Sequence, residues 1–312
     1  MADADNNGVQ INTKNIIIVS VISLAYLVLS YFLVGFKSDQ LVLLGIFNVL
    51  FYASAPTRKF ILGFSIFIIY WIIFDYMKAF PNYYYHKVAI GELYHAEKNI
   101  FGISYHGKLL TPNEYLLLKA NSFVDVIAGI FYLCWIPVPL AFAAYLFFRN
   151  RTQFLHFALT FVLVNMLGFI VYYMYPAAPP WYIQSHGFNF QPLTQGSTAG
   201  LARFDRFFNV GIFKSIYAKG SNVFAAMPSL HSSYPVIVLY YGIKNRLGII
   251  NIFFAIVMVG IWFTAVYASH HYVLDVLAGI LCAGIGITLY NFVSHRSSSF
   301  KRFISNYSKF IQ

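Results

Sequence analysis

The sequence predicts an all-α fold, a polytopic membrane helix bundle of about eight transmembrane helices. Three observations lead there. Hydrophobic residues make up 59% of the 312 and charged residues only 10%, with a mean hydropathy of +0.65, a balance foreign to a water-soluble domain with an ordinary surface. The apolar residues gather in runs approaching the ~20 residues a helix needs to cross the hydrocarbon core. Several of the short connections between runs carry pairs of basic residues, the pattern that orients membrane helices.

The elements follow in chain order. Residues 1–14 form a polar N-terminal tail, and the long apolar run after them, followed by others, reads as a retained first span and not as a cleaved signal peptide. Runs near 15–36, 40–55 and 60–76 make the N-terminal transmembrane helices within 15–76, and 40–55 is the weakest because it is short enough to re-enter or lie at the interface. Residues 77–121 alternate aromatic and charged side chains, as an extracytoplasmic amphipathic segment lying on the membrane would. Runs near 122–148, 153–175, 232–244, 247–268 and 272–293 fill a motif-carrying transmembrane region, 122–295, and 296–312 is a basic cytoplasmic tail. No internal repeat or low-complexity tract interrupts this order.

The net charge of +11 is not a nucleic-acid signal, because Lys and Arg stand singly or in pairs between apolar runs and form no basic stripe. Cys134 and Cys282 both fall inside apolar runs, which argues against a disulfide framework or a cysteine metal site. With eight spans, Arg58-Lys59, Arg149 with Arg151, Lys244 with Arg246, and Arg296, Lys301 and Arg302 share one side, the cytoplasm by the positive-inside bias. The long connections 77–121 and 176–231 and the turn at Ser269-His270-His271 then face outward.

Two histidines on that outer side carry chemistry, since ionisable residues at membrane depth are costly and mark sites. His271 and Asp275 are four apart and meet on one face of a helix, so that the carboxylate can accept a hydrogen bond from Nδ1–H and leave Nε2 a free lone pair. His270 points off that face and reads as a boundary residue. In Met227-Pro228-Ser229-Leu230-His231, Pro228 suits the first helical turn, the amides behind it form an anion site with the Ser229 hydroxyl, and His231 can protonate a leaving oxygen. Arg203 and Arg206, with Lys214 and Lys219, can add positive charge for phosphate oxygens.

Blander readings stand beside these. A membrane histidine can simply bond between helices, and two histidines with a carboxylate could hold a metal, although neither a HExxH helix nor a cysteine pair supports that. Tyr175–Tyr182 is a rigid, proline-rich span exit or a substrate contact. Pro137 and Pro139 kink a span, Asp125 is a helix-entry carboxylate near the site, and Glu92 and Glu97 read as solvated.

Taken together, PSLH followed by HHYxxD resembles the type 2 phosphatidic acid phosphatase superfamily. The order APPWY (178–182), GLARFD (200–205), AAMPSLHS (225–232) and SHHYVLD (269–275) resembles its inositol phosphorylceramide synthase branch, and 80–115 is similar to bacterial members. The resemblance implies a six-helix phosphatase-like core and a phosphohistidine intermediate, with His271 as nucleophile, Asp275 as its orienting carboxylate and His231 as acid and base. Ser229, Arg203, Arg206, Asp205, Trp181, Tyr182 and His270 are the substrate and phosphate contacts it suggests, with no cofactor and no metal.

The chain departs from the phosphatases of that superfamily. Ala178-Pro179 stands where an Arg-Pro ending aligns, and Thr264 and Ala265 stand where Ser-Arg precedes the nucleophile. A phosphomonoester near −2 needs several fixed cations and a diester at −1 fewer, so the missing arginines argue for a diester. The expectation is a lipid phosphotransferase that moves inositol phosphate from a phosphatidylinositol-type lipid to ceramide or dihydroceramide and releases diacylglycerol. Its partners are those lipids and no nucleic acid. It would sit in a bacterial inner membrane with the site facing the periplasm, or face the Golgi lumen in a eukaryote. A lipid phosphatase of the same superfamily and a non-enzymatic transporter or scaffold are the alternatives.

Overall fold

The computed structural model describes residues 11–220 and 222–312, so most of the expected polar tail, residues 1–10, lies outside the described residues. Fifteen α-helices follow: α1 (Thr13–Val34), α2 (Ser38–Ala53), α3 (Ala55–Tyr76), α4 (Gly91–Phe101), α5 (Pro112–Leu118), α6 (Ser122–Leu133), α7 (Pro137–Arg149), α8 (Arg151–Met174), α9 (Pro180–His186), α10 (Ala202–Phe208), α11 (Ile212–Tyr217), α12 (Leu230–Lys244), α13 (Ile250–Tyr267), α14 (Val273–Arg296) and α15 (Ser298–Phe310). One two-stranded antiparallel hairpin, β1 (Ile103–Tyr105) with β2 (Lys108–Leu110), lies between α4 and α5.

A helix stands at each of the eight apolar runs. Among the described residues, six stretches are long and apolar enough to cross a bilayer: Thr13–Val34, Ala55–Ala79, Ser122–Arg149, Arg151–Met174, Ile250–Tyr267 and Val273–Arg296. The protein is therefore an integral membrane protein with an all-α fold. The other two helices, α2 with 16 residues and α12 with 15, reach only about 22–24 Å at 1.5 Å per residue. The stretch Ser122–Arg149 breaks between Leu133 and Pro137, where prolines remove backbone donors.

Contacts divide the chain into two compact units. One holds the described residues up to Phe80 with Ala143–Val162 and Asn291–Gln312; the other holds Pro81–Phe142 and Leu163–Tyr290. In the first, Phe60, Phe64 and Phe67 follow helical spacing along α3 and meet Phe147, Phe154 and Phe161, with the Phe64 and Phe154 rings stacked at 5.2 Å. Gly63 permits this approach, since a Cβ there would stand 2.7 Å from the Phe147 ring. Buried Arg58 gives its Nε–H to the Phe51 carbonyl at 2.8 Å, which satisfies part of a costly charge.

In the second unit, the expected interfacial segment from Pro81 onward sends several polar side chains into the protein. Asn82, Glu97, Thr111 and Asn113 in it are all buried. Asn82 Nδ2 donates to the carbonyls of Tyr172 and Phe224, both at 2.8 Å. Parallel bridges join Ala89 to Ala177 and Ala177 to Ala225, so three distant loops bond side by side. The proline-rich Tyr175–Tyr182 is the middle of that trio, and its backbone groups find partners in the other two loops.

Candidate active site

The site begins where α12 and α14 start. Ser229 caps α12, its amide donates to the Asp275 carbonyl at 2.9 Å, and Ser233 Oγ donates to the Gly279 carbonyl at 2.7 Å. A Cβ on Gly279 would fall 2.1 Å from the Ser229 carbonyl oxygen, so only glycine lets the two helix starts come this close. His231, one residue inside α12, thereby faces His271, two residues before α14. His231 Nδ1 is 3.1 Å from His271 Nε2.

His271 Nδ1 lies 2.9 Å from the Ala226 carbonyl oxygen and 3.6 Å from Asp275 Oδ2. A carbonyl only accepts, so Nδ1 carries the proton and Nε2 presents its lone pair toward His231. The nearest acceptor for Nδ1 is thus a backbone carbonyl and not the expected carboxylate. Asp275 was expected to accept from Nδ1–H through helical spacing; yet α14 starts only at Val273, and Asp275 Oδ2 accepts the Tyr272 amide at 2.8 Å instead. The carboxylate, 0% exposed, stands on the Nδ1 side of a ring that is itself 5% exposed. It is close enough to stabilise positive charge on the ring without taking its proton.

The anion site expected at Pro228 is also revised. Pro228 precedes the cap and is not in the first turn; the Ser229 amide is occupied, and its buried hydroxyl accepts from Ser232 Oγ at 3.0 Å. The metal alternative needs Asp275 on the Nε2 side of His271, and it lies on the other. Among the described residues no three His, Cys, Asp or Glu side chains gather as a metal site.

Of the expected substrate contacts, Arg203 keeps a polar group without a hydrogen-bond partner. Its Nε donates to Asp125 Oδ1 at 2.6 Å, its buried Nη2 has no hydrogen-bond partner, and it runs beside Gly200 and Ala268. Asp125 also accepts from Tyr267 Oη at 2.7 Å. Most of the other expected contacts have structural partners. Asp205 caps α11 by accepting the amides of Phe213 and Lys214. Tyr182 Oη donates to the Asn189 carbonyl and accepts the Gln191 amide, both at 2.7 Å. Trp181 is buried among Val88, Ala178 and Phe224, with its amide on the Ser269 carbonyl. Arg206, Lys214 and Lys219 are exposed.

His270 donates from Nε2 to the Thr198 carbonyl at 3.1 Å and stacks between the rings of Tyr217 and Tyr132. Burial, and then the neighbouring His271, push its pKa down to about 3, so it is neutral and holds the turn in place.

Several residues of the site were not legible in the sequence. Glu97, expected to be solvated, is 0% exposed and accepts the amides of Val273 at 2.9 Å and Leu274 at 3.1 Å. Burial raises its carboxyl pKa while those two amides oppose the rise. Glu92, by contrast, is solvated as expected. Asn113 Nδ2 donates to the carbonyls of His271 and Val266, both at 2.8 Å. Its helix start was readable, since Thr111 and Glu114 form the capping box that Thr-x-x-Glu signals. The break between α6 and α7 presents Trp135, whose ring stands edge-on 4.4 Å from His231, with the Tyr132 ring at 5.4 Å. The two aromatics cover part of the His231 ring, which stays partly exposed.

Comparison with known proteins adds the following. The PAP2 superfamily model matches residues 109–289. A phosphoinositol dihydroceramide synthase of Bacteroides thetaiotaomicron is 43% identical over 96% of this chain and 99% of its own length. An inositol phosphorylceramide synthase of Candida albicans is 27% identical over 61% of this chain and 42% of its own, and an inositol phosphorylceramide synthase catalytic subunit of Saccharomyces cerevisiae is 29% identical over 54% and 42%. No solved structure matches the chain.

Proposed function

Because the chain belongs to the PAP2 superfamily, we infer that it is a membrane phosphotransferase that carries inositol phosphate from a phosphatidylinositol-type lipid to ceramide or dihydroceramide. The observation that carries the substrate reading is the likeness to the Bacteroides synthase along nearly the whole of both chains, including most of the residues that precede the superfamily match.

The geometry supports a two-step route. His271 Nε2 attacks the phosphorus, the bond from phosphorus to the diacylglycerol oxygen breaks, and protonated His231 gives that oxygen its proton. The ring of His271 now carries phosphate on Nε2 and hydrogen on Nδ1, hence a positive charge, which the Ala226 carbonyl and the Asp275 carboxylate stabilise. In the second step neutral His231 takes the proton of the ceramide hydroxyl, whose oxygen attacks phosphorus and releases His271. His231 ends protonated, as it began, and the cycle closes. Arg203, with a buried N–H group unused, is the cation for the diester.

The basic connections support an orientation with the histidines on the extracytoplasmic side, which in a bacterium means the periplasmic face of the inner membrane. The test is direct. Purified protein with headgroup-labelled phosphatidylinositol and ceramide should yield labelled inositol phosphorylceramide and diacylglycerol, identified by mass spectrometry. Label appearing only as water-soluble inositol phosphate would replace transfer by hydrolysis.

A further inference from the structure

The unit formed by α1–α3 and the segments Ala143–Val162 and Asn291–Gln312 has a charge pattern that the chemistry above does not use. Those two segments hold Arg149, Arg151, Arg296, Lys301, Arg302 and Lys309 and no acidic residue. They include Arg151 at the start of α8 and Arg296 at the end of α14, and no residue of the candidate active site belongs to this unit.

The C-terminal helix α15 is part of this pattern. Ser297 caps it immediately after α14 ends, so the chain turns out of the span within one residue. Phe300, Phe303, Ile304, Tyr307 and Phe310 fall on one arc of α15, and Lys301, Arg302 and Lys309 on the other. The helix is fixed to its unit: Ile304 is buried, Tyr307 Oη donates to the Leu62 carbonyl at 2.8 Å, Thr152 Oγ1 and Ser308 Oγ are 3.1 Å apart, and Arg151 Nε donates to the Ile311 carbonyl at 3.2 Å. Only part of the apolar arc is used by these contacts, because Phe303 stays 49% exposed and Phe310 43%.

An apolar edge left open beside a cationic face is the arrangement of a helix lying at headgroup level. Next to α15 opens a cleft of about 400 Å³ lined by Arg149, Asn150, Arg151, Thr152, Ser308 and Gln312. Its side chains offer two guanidinium groups and several neutral donors and no carboxylate, which suits a phosphate oxygen.

We propose that this cleft and the cationic face of α15 form a second, non-catalytic lipid site that takes the headgroup of an anionic phospholipid, with its acyl chains running along Phe303 and Phe310. Charge complementarity decides the class of occupant. Cations kept only to orient the chain need no concave lining and no exposed phenylalanines beside them, and they would not distinguish one bound lipid from another.

Native mass spectrometry of the purified full-length protein, titrated with phosphatidylglycerol or phosphatidylcholine, tests this. Wild type should retain phosphatidylglycerol at least tenfold over phosphatidylcholine, since each cation near the headgroup adds roughly fivefold. The double variant Arg149→Glu, Arg302→Glu should bring the two lipids to parity, while His271→Ala keeps the preference. Should the charge reversals aggregate, Arg149→Gln with Lys309→Gln should lower the preference at least threefold. The site is overturned by equal retention in wild type, the outcome also expected if a protein partner occupies this face. It is equally overturned by a preference that survives these substitutions or by one that His271→Ala abolishes.

Discussion

Glu97 accepts the amide proton of Val273 at 2.9 Å across 176 residues of chain. The same carboxylate takes the Leu274 amide, so one buried charge satisfies two donors that open α14 and complements the positive end of that helix. His271 and Asp275 flank this pair, and the position of both depends on where α14 begins.

Replacing Glu97 by Ala should therefore cost about 2 kcal/mol or more in stability, from two buried amides left without partners. It should also lower turnover of the protein that remains folded, with KM little changed. Glu97→Gln, which keeps one acceptor, should fall between. Thermal unfolding and turnover measured on the same preparations check this, and full wild-type turnover in the alanine variant would remove Glu97 from the positioning of the site.

Asp275→Asn separates charge from hydrogen bonding. An asparagine oxygen can still accept the Tyr272 amide, and the Ala226 carbonyl still holds the proton on Nδ1, so the tautomer survives. What disappears is a negative charge 3.6 Å from the ring, and the expected loss in rate is on the order of 10²–10³. A variant as fast as wild type would leave the ring's positive charge to the carbonyl alone.

The two histidines should fail differently. His271→Ala leaves no atom to accept phosphorus, and all headgroup release and exchange should vanish. His231→Ala should slow release on the order of 10²–10⁴ while attack by His271 stays possible, so acid-labile label from headgroup-labelled lipid should be found on this variant and never on His271→Ala. Peptide mapping locates the label, and label on His231 would reverse the assignment.

Trp135→Ala should open the edge of His231 to water. Because water then competes with the lipid hydroxyl for the phosphorylated histidine, the ratio of released inositol phosphate to transferred product should rise severalfold, roughly, over wild type. A fall in both products at constant ratio would make Trp135 a packing residue only.

Sidedness is read by thiol labelling. A cysteine at Gln195 should react with a membrane-impermeant reagent added outside intact cells, and one at Asn245 should react only after permeabilisation. The opposite pattern would put the chemistry in the cytoplasm.

The sequence by itself determined the membrane class, the eight helical runs and the two histidine motifs with their order. These are local properties: the length and apolarity of a run decide whether it can sit in hydrocarbon, and a motif is written in adjacent residues. The pairing of His231 with His271 could be anticipated from their shared side of the membrane, though not its 3.1 Å geometry.

Only the tertiary structure decided the partners. The acceptor for His271 Nδ1 is a backbone carbonyl at Ala226, and every residue has one, so no side-chain pattern could single it out. Asp205 and Tyr182 looked like substrate contacts because they sit in the motif stretches, yet their polar atoms are spent on loop backbone. Glu97 looked solvated among alternating aromatic and charged residues. Whether a carboxylate faces water or two buried amides is settled by which distant segment packs against it, and that choice is made by the fold as a whole.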